Sequence, residues 1–221
     1  MPNVEIIEEN NDYIIVNKMA GLISEKSPFE NITVENQVFD HLLKSKKKPY
    51  VGVIHRLDRV TSGVLIFAKK KSTLVEFNAL FSSRQMQKTY YAIVKNEPAK
   101  NKGQLNHYLI KNNLEKRADI VETKVKDALQ CSLSYLVIGK NDFGYLLEIK
   151  PKTGRFHQIR AQLAHIGLPI IGDEKYGSDQ KYLPLSICLH AQKITYKDPS
   201  TKELKSAEAS LPKNKFWAFS L

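Results

Sequence analysis

The sequence predicts an α+β protein, a mixed and mostly antiparallel sheet with helices packed around it. Two features lead there. Short apolar or alternating runs of strand type interleave irregularly with amphipathic helical patterns. The first two strand runs, Val4 to Glu9 and Tyr13 to Asn17, are separated by Asn10-Asn11-Asp12, a turn signal that makes them a hairpin. At 221 residues the chain is long enough for one good core, or for two lobes sharing it, and residues 1–221 read as a single domain.

After the hairpin, Lys18-Met19-Ala20-Gly21-Leu22 reads as a loop. Thr33 then caps a helix through Leu43, with Val34, Val38 and Leu42 on one face. Lys44, Lys46, Lys47 and Lys48 follow, where cations suit the helix dipole. Four are more than a cap requires, so contact with phosphate is a second reading. Val64 to Ala68 is a short apolar run of buried-strand type. Thr73 and Glu76 are spaced as a capping box for a helix that buries Leu74, Phe77, Leu80 and Phe81 and ends near Arg84.

Lys88 to Val94 alternates as a strand does. The stretch from 95 to 130 is the least informative: Pro98, Lys100, Lys102 and Gly103 look like a loop, and Asn112 to Asp119 like a polar connection. The cations Lys111, Lys116, Arg117, Lys124 and Lys126 are read as solvating an edge. Ser132 to Ile138 and Tyr145 to Ile149 read as strands. The second runs through Pro151-Lys152-Thr153-Gly154-Arg155-Phe156 into a helix with Ile159, Leu163 and Ile166 on one face, stopped by Gly167 and Pro169. His157, Arg160 and Ala164 fall on the neighbouring face. Arg160 therefore sits beside the core stripe, where a guanidinium is costly unless paired, and a carboxylate partner is expected, with Asp58 as the candidate.

The charge is unusual. There are 34 Lys and Arg against 23 Asp and Glu, a formal +11, which points to a polyanionic partner, nucleic acid ahead of an anionic membrane. Cys131 and Cys188 are far apart and form neither a disulfide framework nor a zinc site. The six His residues include no recognisable ligand pair, so no metal is expected. With no apolar leader and no run of eighteen apolar residues, neither export nor a membrane span is expected, and the protein is placed in the cytoplasm, as a monomer.

The chemistry gathers in Val53 to Lys71, VIHRLDRVTSGVLIFAKKK. His55, Arg56, Asp58 and Arg59 set one carboxylate among three potential cations, and Thr61-Ser62-Gly63 add turn chemistry. Neighbouring positive charge keeps such an Asp ionised. Held at a strand end, it is either a nucleophile or electrostatic partner in a site, or one half of a surface salt bridge. Local spacing does not choose between the two.

The HRLDRVTSG segment resembles the signature of the RluA-type RNA pseudouridine synthases, which implies that Asp58 is catalytic. Three further stretches match that family in order. Lys18-Met19-Ala20-Gly21-Leu22 is similar to its opening Lys-Pro-x-Gly-Leu, with Met19 for Pro; because it comes so early, no S4-type RNA-binding domain is expected in front of it. Lys88-Thr89-Tyr90-Tyr91-Ala92 resembles its Lys-x-Tyr-x-Ala motif, which implies that Tyr90 lies against the target base. Thr153 to Arg160 looks like its TGR-x-HQ-[IL]-R motif, which implies that Arg160 pairs with the catalytic Asp and that Arg155, His157, Gln158 and Ile159 line the substrate side. Here Phe156 replaces the usual Thr or Ser, and Gln162 a usual His. Gly172-Asp173, Tyr176-Gly177 and Leu189-His190-Ala191 also match and are read as structural.

The resemblance implies the pseudouridine synthase fold with a central cleft, and isomerisation of uridine to pseudouridine in structured ribosomal or transfer RNA. That reaction requires no cofactor. Asp58 would act at the ribose C1′ of a flipped uridine, and Arg56, Arg155 and the lysines would hold the backbone. Two other readings stand beside it. A catalytically silent RNA-binding module would use the same basic surface but has no need of Asp58, Tyr90 and Arg160. A phosphate-ester hydrolase would use His55 and the arginines, without a recognisable nucleophile motif.

Overall fold

The predicted hairpin is present in the computed structural model, which describes residues 4–219: β1 (Glu5–Glu9) runs antiparallel to β2 (Tyr13–Lys18). The turn forms because the Asn10 side-chain oxygen accepts from the backbone N–H groups of Asp12 (2.8 Å) and Tyr13 (2.9 Å), the Asx geometry that makes Asn a turn residue. This hairpin belongs to the first of two compact units. That unit comprises the chain up to Lys88 together with Ala191–Leu211; the second comprises Thr89–His190 with the chain from Pro212 onward.

In the first unit, β2 pairs antiparallel with β4 (Ser62–Ala68), which also carries the two-residue β3 (Gly52–Val53). Strand β10 (Leu189–Lys197) lies beside β4 and pairs with β11 (Leu204–Glu208). Every residue of β4 is buried, as an unbroken apolar run predicts. Helix α1 (Val34–Leu43) starts at Thr33, whose hydroxyl accepts from Asn36 N at 3.1 Å, and it buries Val34, Val38 and Leu42. Helix α2 (Lys71–Ser82) packs Phe77, Leu74, Leu80 and Phe81 against Tyr13, Ile15, Val64, Ile66, Ile194 and Tyr196. It begins earlier than the Thr73 spacing suggested: its N-cap is Lys70, and Thr73 is buried inside the helix.

The second unit is an antiparallel sheet in the order β5 (Gln87–Val94), β9 (Gly144–Pro151), β8 (Leu129–Asn141), β6 (Lys102–Asn112) and β7 (Arg117–Val121). Lys102 and Gly103, read as loop, open the long strand β6, and only residues 113–116 connect it to β7. Helix α3 (Gln158–His165) lays Ala161 on Leu109, Ala118 and Cys131 and buries Leu163. Its N-terminus lies one residue beyond His157, which is held at φ 52° in the left-handed region and so caps the helix instead of joining it. The fold is therefore α+β with mostly antiparallel strands, as predicted. Among the described residues no helix is long and apolar enough to cross a membrane.

Candidate active site

In the first unit, Asp58 is the opening residue of a four-residue turn: Thr61 N–H donates to its carbonyl at 3.0 Å. Asp favours that position because its side chain can satisfy nearby backbone. The turn is fastened from below by Lys18, at the end of β2 and only 1% exposed. Its ammonium donates to the carbonyls of Thr61 (2.7 Å), Met19 (3.0 Å) and Arg59 (3.2 Å). Gly21 N–H adds a bond to Arg59 O at 2.8 Å. Burial pushes the Lys18 pKa down to about 7, with the Asp58 carboxylate pulling it up and Arg59 pulling it down. The residue before Asp58 is fixed too: Ser24 Oγ donates to Leu57 O and accepts from Leu57 N, both at 3.0 Å. Asp58 thus sits half-buried on a backbone held from two sides.

The glycine of the Thr-Ser-Gly segment has a different job from the one its turn chemistry suggested. Gly63 is the second residue of β4, at φ +115°, and a Cβ there would meet Ala191 O at 2.3 Å and Ala191 N at 2.6 Å. Only glycine lets β10 come that close. The two arginines flanking Asp58 each have a glutamate: Arg56 donates to Glu25 at 2.6 Å, on the surface, and Arg59 pairs with Glu30. His55 is no accessible base. Its Nε2 accepts from Ile66 N at 3.3 Å, its ring packs 5.3 Å from Phe81, and its Nδ1 is buried. Burial of the ring, with a contribution from Lys88, pushes its pKa down to about 3, so it is a neutral histidine packed against α2.

In the second unit, Tyr90 lies on β5 opposite Ile149 of β9 and is buried. The residues predicted from Thr153 to Arg160 come together around the start of α3. Gln158 is buried and ties the loop: its Oε1 accepts from Thr153 Oγ1 (2.7 Å) and Arg155 N (3.0 Å), and its Nε2 donates to Ser132 O (3.0 Å). Ile159 is in the core, 8% exposed. Arg155 and Phe156 project from the loop, exposed.

Arg160 has the carboxylate its burial demands. Its Nε and Nη2 donate to the two oxygens of Asp173 at 2.7 and 2.8 Å, a bidentate pair with both residues at most 5% exposed. Arg160 Nη1 lies 2.9 Å from His157 Nε2. A guanidinium only donates, so Nε2 accepts and the ring proton is on Nδ1, which faces the Tyr176 hydroxyl at 3.0 Å. Tyr176 Oη in turn accepts from Ala118 N at 2.7 Å, and its ring lies 5.0 Å from the Arg160 guanidinium. Asp173 and Tyr176, both read as structural landmarks, are thus partners of the two motif residues His157 and Arg160. The sequence signal was the demand of a buried arginine for a carboxylate; Asp58 was expected in that role, and Asp173 was read only as a landmark. Among the described residues no group of three His, Cys, Asp or Glu side chains is placed to hold a metal ion.

A family model described as RNA pseudouridylate synthase matches residues 12–165, a span that takes in Lys18, Asp58, Tyr90 and Arg160. A tRNA pseudouridine synthase C of Vibrio parahaemolyticus is 33% identical over 94% of this chain and 90% of its own length. A ribosomal large subunit pseudouridine synthase C of Rickettsia bellii is 33% identical over 94% of this chain and 68% of its length. In fold, the human RNA pseudouridylate synthase domain containing 4 covers 95% of this chain with a TM-score of 0.78 at 22% identity; the alignment takes in 89% of that chain. The match across these motifs, on a turn and helix built as described, makes this chain a member of the RNA pseudouridine synthase family, enzymes that isomerise uridine to pseudouridine in RNA.

Proposed function

We propose that Asp58 is the carboxylate that acts at the ribose C1′ of a flipped uridine, in transfer or ribosomal RNA, the classes for which the relatives are named. The observation that carries the proposal is the bracing of the Asp58 turn by a buried ammonium and by Ser24, because an attacking group has to be aimed. The reaction breaks the N1–C1′ bond, turns the uracil and joins C5 to C1′; the C5 proton leaves and N1 gains one, so nothing is consumed. Asp58 serves by attack on C1′ or by assisting an eliminated sugar intermediate. Tyr90 stacks on the uracil and helps the C5 proton to leave.

Arg160 is the third residue assigned to the chemistry, fixed on α3 by its bidentate pair with Asp173. A base inside a helical stack is out of reach, which is the reason to expect flipping. The exposed Arg56, Arg155, Lys44 and Lys46 to Lys48 hold the backbone, with His157, Gln158 and Ile159 shaping the substrate side from the start of α3. Residues 1–221 are read as one catalytic domain.

The test compares wild type with Asp58→Asn on total RNA from cells lacking the protein, mapping pseudouridine by adduct-dependent reverse-transcription stops and measuring RNA binding in parallel. A site made by wild type and not by the variant, at similar binding, is expected and names the substrate. A site made equally by both proteins removes Asp58 from the mechanism. Binding with no new site from either favours the silent module.

A further inference from the structure

Phe156 has no place in the chemistry above, yet its surroundings are unlike those of a scattered surface phenylalanine, which needs no explanation. It is 41% exposed, in the loop between β9 and α3. One face of its ring is covered by the His157 imidazole, with centroids 3.8 Å apart and planes 19° from parallel. The other ring pairs among the described residues are tilted or edge-on.

The imidazole is a fixed support. Its backbone is in the left-handed region at φ 52°, a conformation that costs a non-glycine residue about 1 kcal/mol or more and persists only when the surroundings enforce it. Arg160 and Tyr176 grip its two nitrogens at 2.9 and 3.0 Å, and both are anchored in turn, by Asp173 and by Ala118 N. A ring stacked on such a support is held in place before any ligand arrives, which saves the ordering cost of binding.

Three exposed cations belong to this region, of which Arg155 donates its Nε to Gln130 O at 3.4 Å. Lys152 and Arg155 are exposed on the same loop, and the Lys111 ammonium of β6 lies 5.5 Å from the Phe156 ring centre. A flat apolar face with exposed cations on its own loop and on β6 matches an unpaired nucleotide, with a base to stack and phosphates on either side. An apolar peptide would leave those charges unanswered.

We propose that Phe156 is a stacking platform for one unpaired nucleobase of the RNA substrate, distinct from the uridine being isomerised. The Lys111 side chain moves off the ring to a phosphate, and Arg155 meets the next one. Stacking tolerates any base and favours the larger purine face, so Phe156 sets affinity and register more than sequence. The proposal rests on the reading of the chain as an enzyme acting on RNA.

The probe is a polyuridylate oligomer carrying one central 2-aminopurine. Its fluorescence is expected to fall when it stacks on Phe156. Phe156→Leu should lose that quenching and bind roughly 5- to 100-fold more weakly, while Phe156→Trp restores both. Lys111→Ala should keep the quenching and lower the slope of log affinity against log salt by about 0.7, the loss of one phosphate contact on a single strand. Wild-type quenching and affinity in Phe156→Leu would overturn the proposal, as would weaker binding that Trp does not restore. The two readings fail separately. A wild type that modifies total RNA while Phe156→Leu binds normally sinks the platform alone; a wild type that modifies no RNA sinks the enzyme assignment whatever the oligomer does.

Discussion

Removing the Asp173 carboxylate should unfold the second unit more than any surface change. Asp173→Ala leaves the Arg160 guanidinium, 5% exposed, without the bidentate acceptor that holds its Nε and Nη2. Breaking a buried pair by deleting one partner costs about 3–5 kcal/mol, because the remaining charge stays out of water. At about 2–4 °C per kcal/mol for a chain of this size, the melting temperature should drop by roughly 6–20 °C. The single tryptophan, Trp217, is buried in this unit with its Nε1 donating to Tyr182 Oη at 3.0 Å, so its fluorescence during urea unfolding reports the right half of the molecule. Arg160→Met in the same chain removes the stranded charge. The double variant should therefore be more stable than Asp173→Ala alone, a coupling that a double-mutant cycle measures. A loss below about 1 kcal/mol, the scale of an exposed pair, or a double variant costing the sum of the singles, would refute the reasoning.

Two other substitutions test the first unit. Gly63→Ala puts a methyl group 2.3 Å from Ala191 O at φ +115° and should cost about 3 kcal/mol or more; a melting temperature equal to that of wild type would contradict the close approach of β10 to β4. His55, with its pKa pushed down to about 3, stays neutral in the folded chain between that value and the ~6.5 of an unfolded histidine. Over this interval the unfolded chain binds the extra proton, so the His55 contribution is full above pH ~6.5 and is lost as the pH falls toward 3, at up to ~1.4 kcal/mol per pH unit. His55→Phe should flatten the curve of urea midpoint against pH in that window, and an unchanged slope would show that other groups set it.

Where the sequence was readable, one residue carried both a local and a packing reason. Thr33 caps α1 while Val34, Val38 and Leu42 repeat on its buried face, and Asn10 closes the first hairpin within three residues. Tyr90 was named only because its motif matches a family, and spacing by itself left Asp58 open between a site residue and a salt bridge; Arg160 was also marked by its place beside the core stripe of its helix. Local signals misled where distant contacts decide. Thr73 and Glu76 have the spacing of a cap, but α2 is drawn three residues further back, and Thr73 is buried. Strand β6 looked like loop and polar connection because most of its residues are exposed or half-exposed, and its pairing with β8 and β7 is what makes it a strand. Asp173 lies thirteen positions from Arg160, across a turn that no periodicity describes.

The first unit is written in two instalments. Its sheet is complete only when β10 settles beside β4, and its core only when Ile194, Tyr196, Ala207 and Ala209 arrive, after all of Thr89–His190 has been made. At ~5–20 residues per second a ribosome needs about 5–20 seconds for that segment. Throughout that wait β4, apolar from Val64 to Ala68, lacks its β10 neighbour, the kind of edge that recruits another chain. The later segment can fold meanwhile, since its five strands and α3 come from one continuous stretch. Crowded polysomes and slow codons within 89–190 should therefore lower the soluble yield of this protein without altering the stability of the molecules that finish folding.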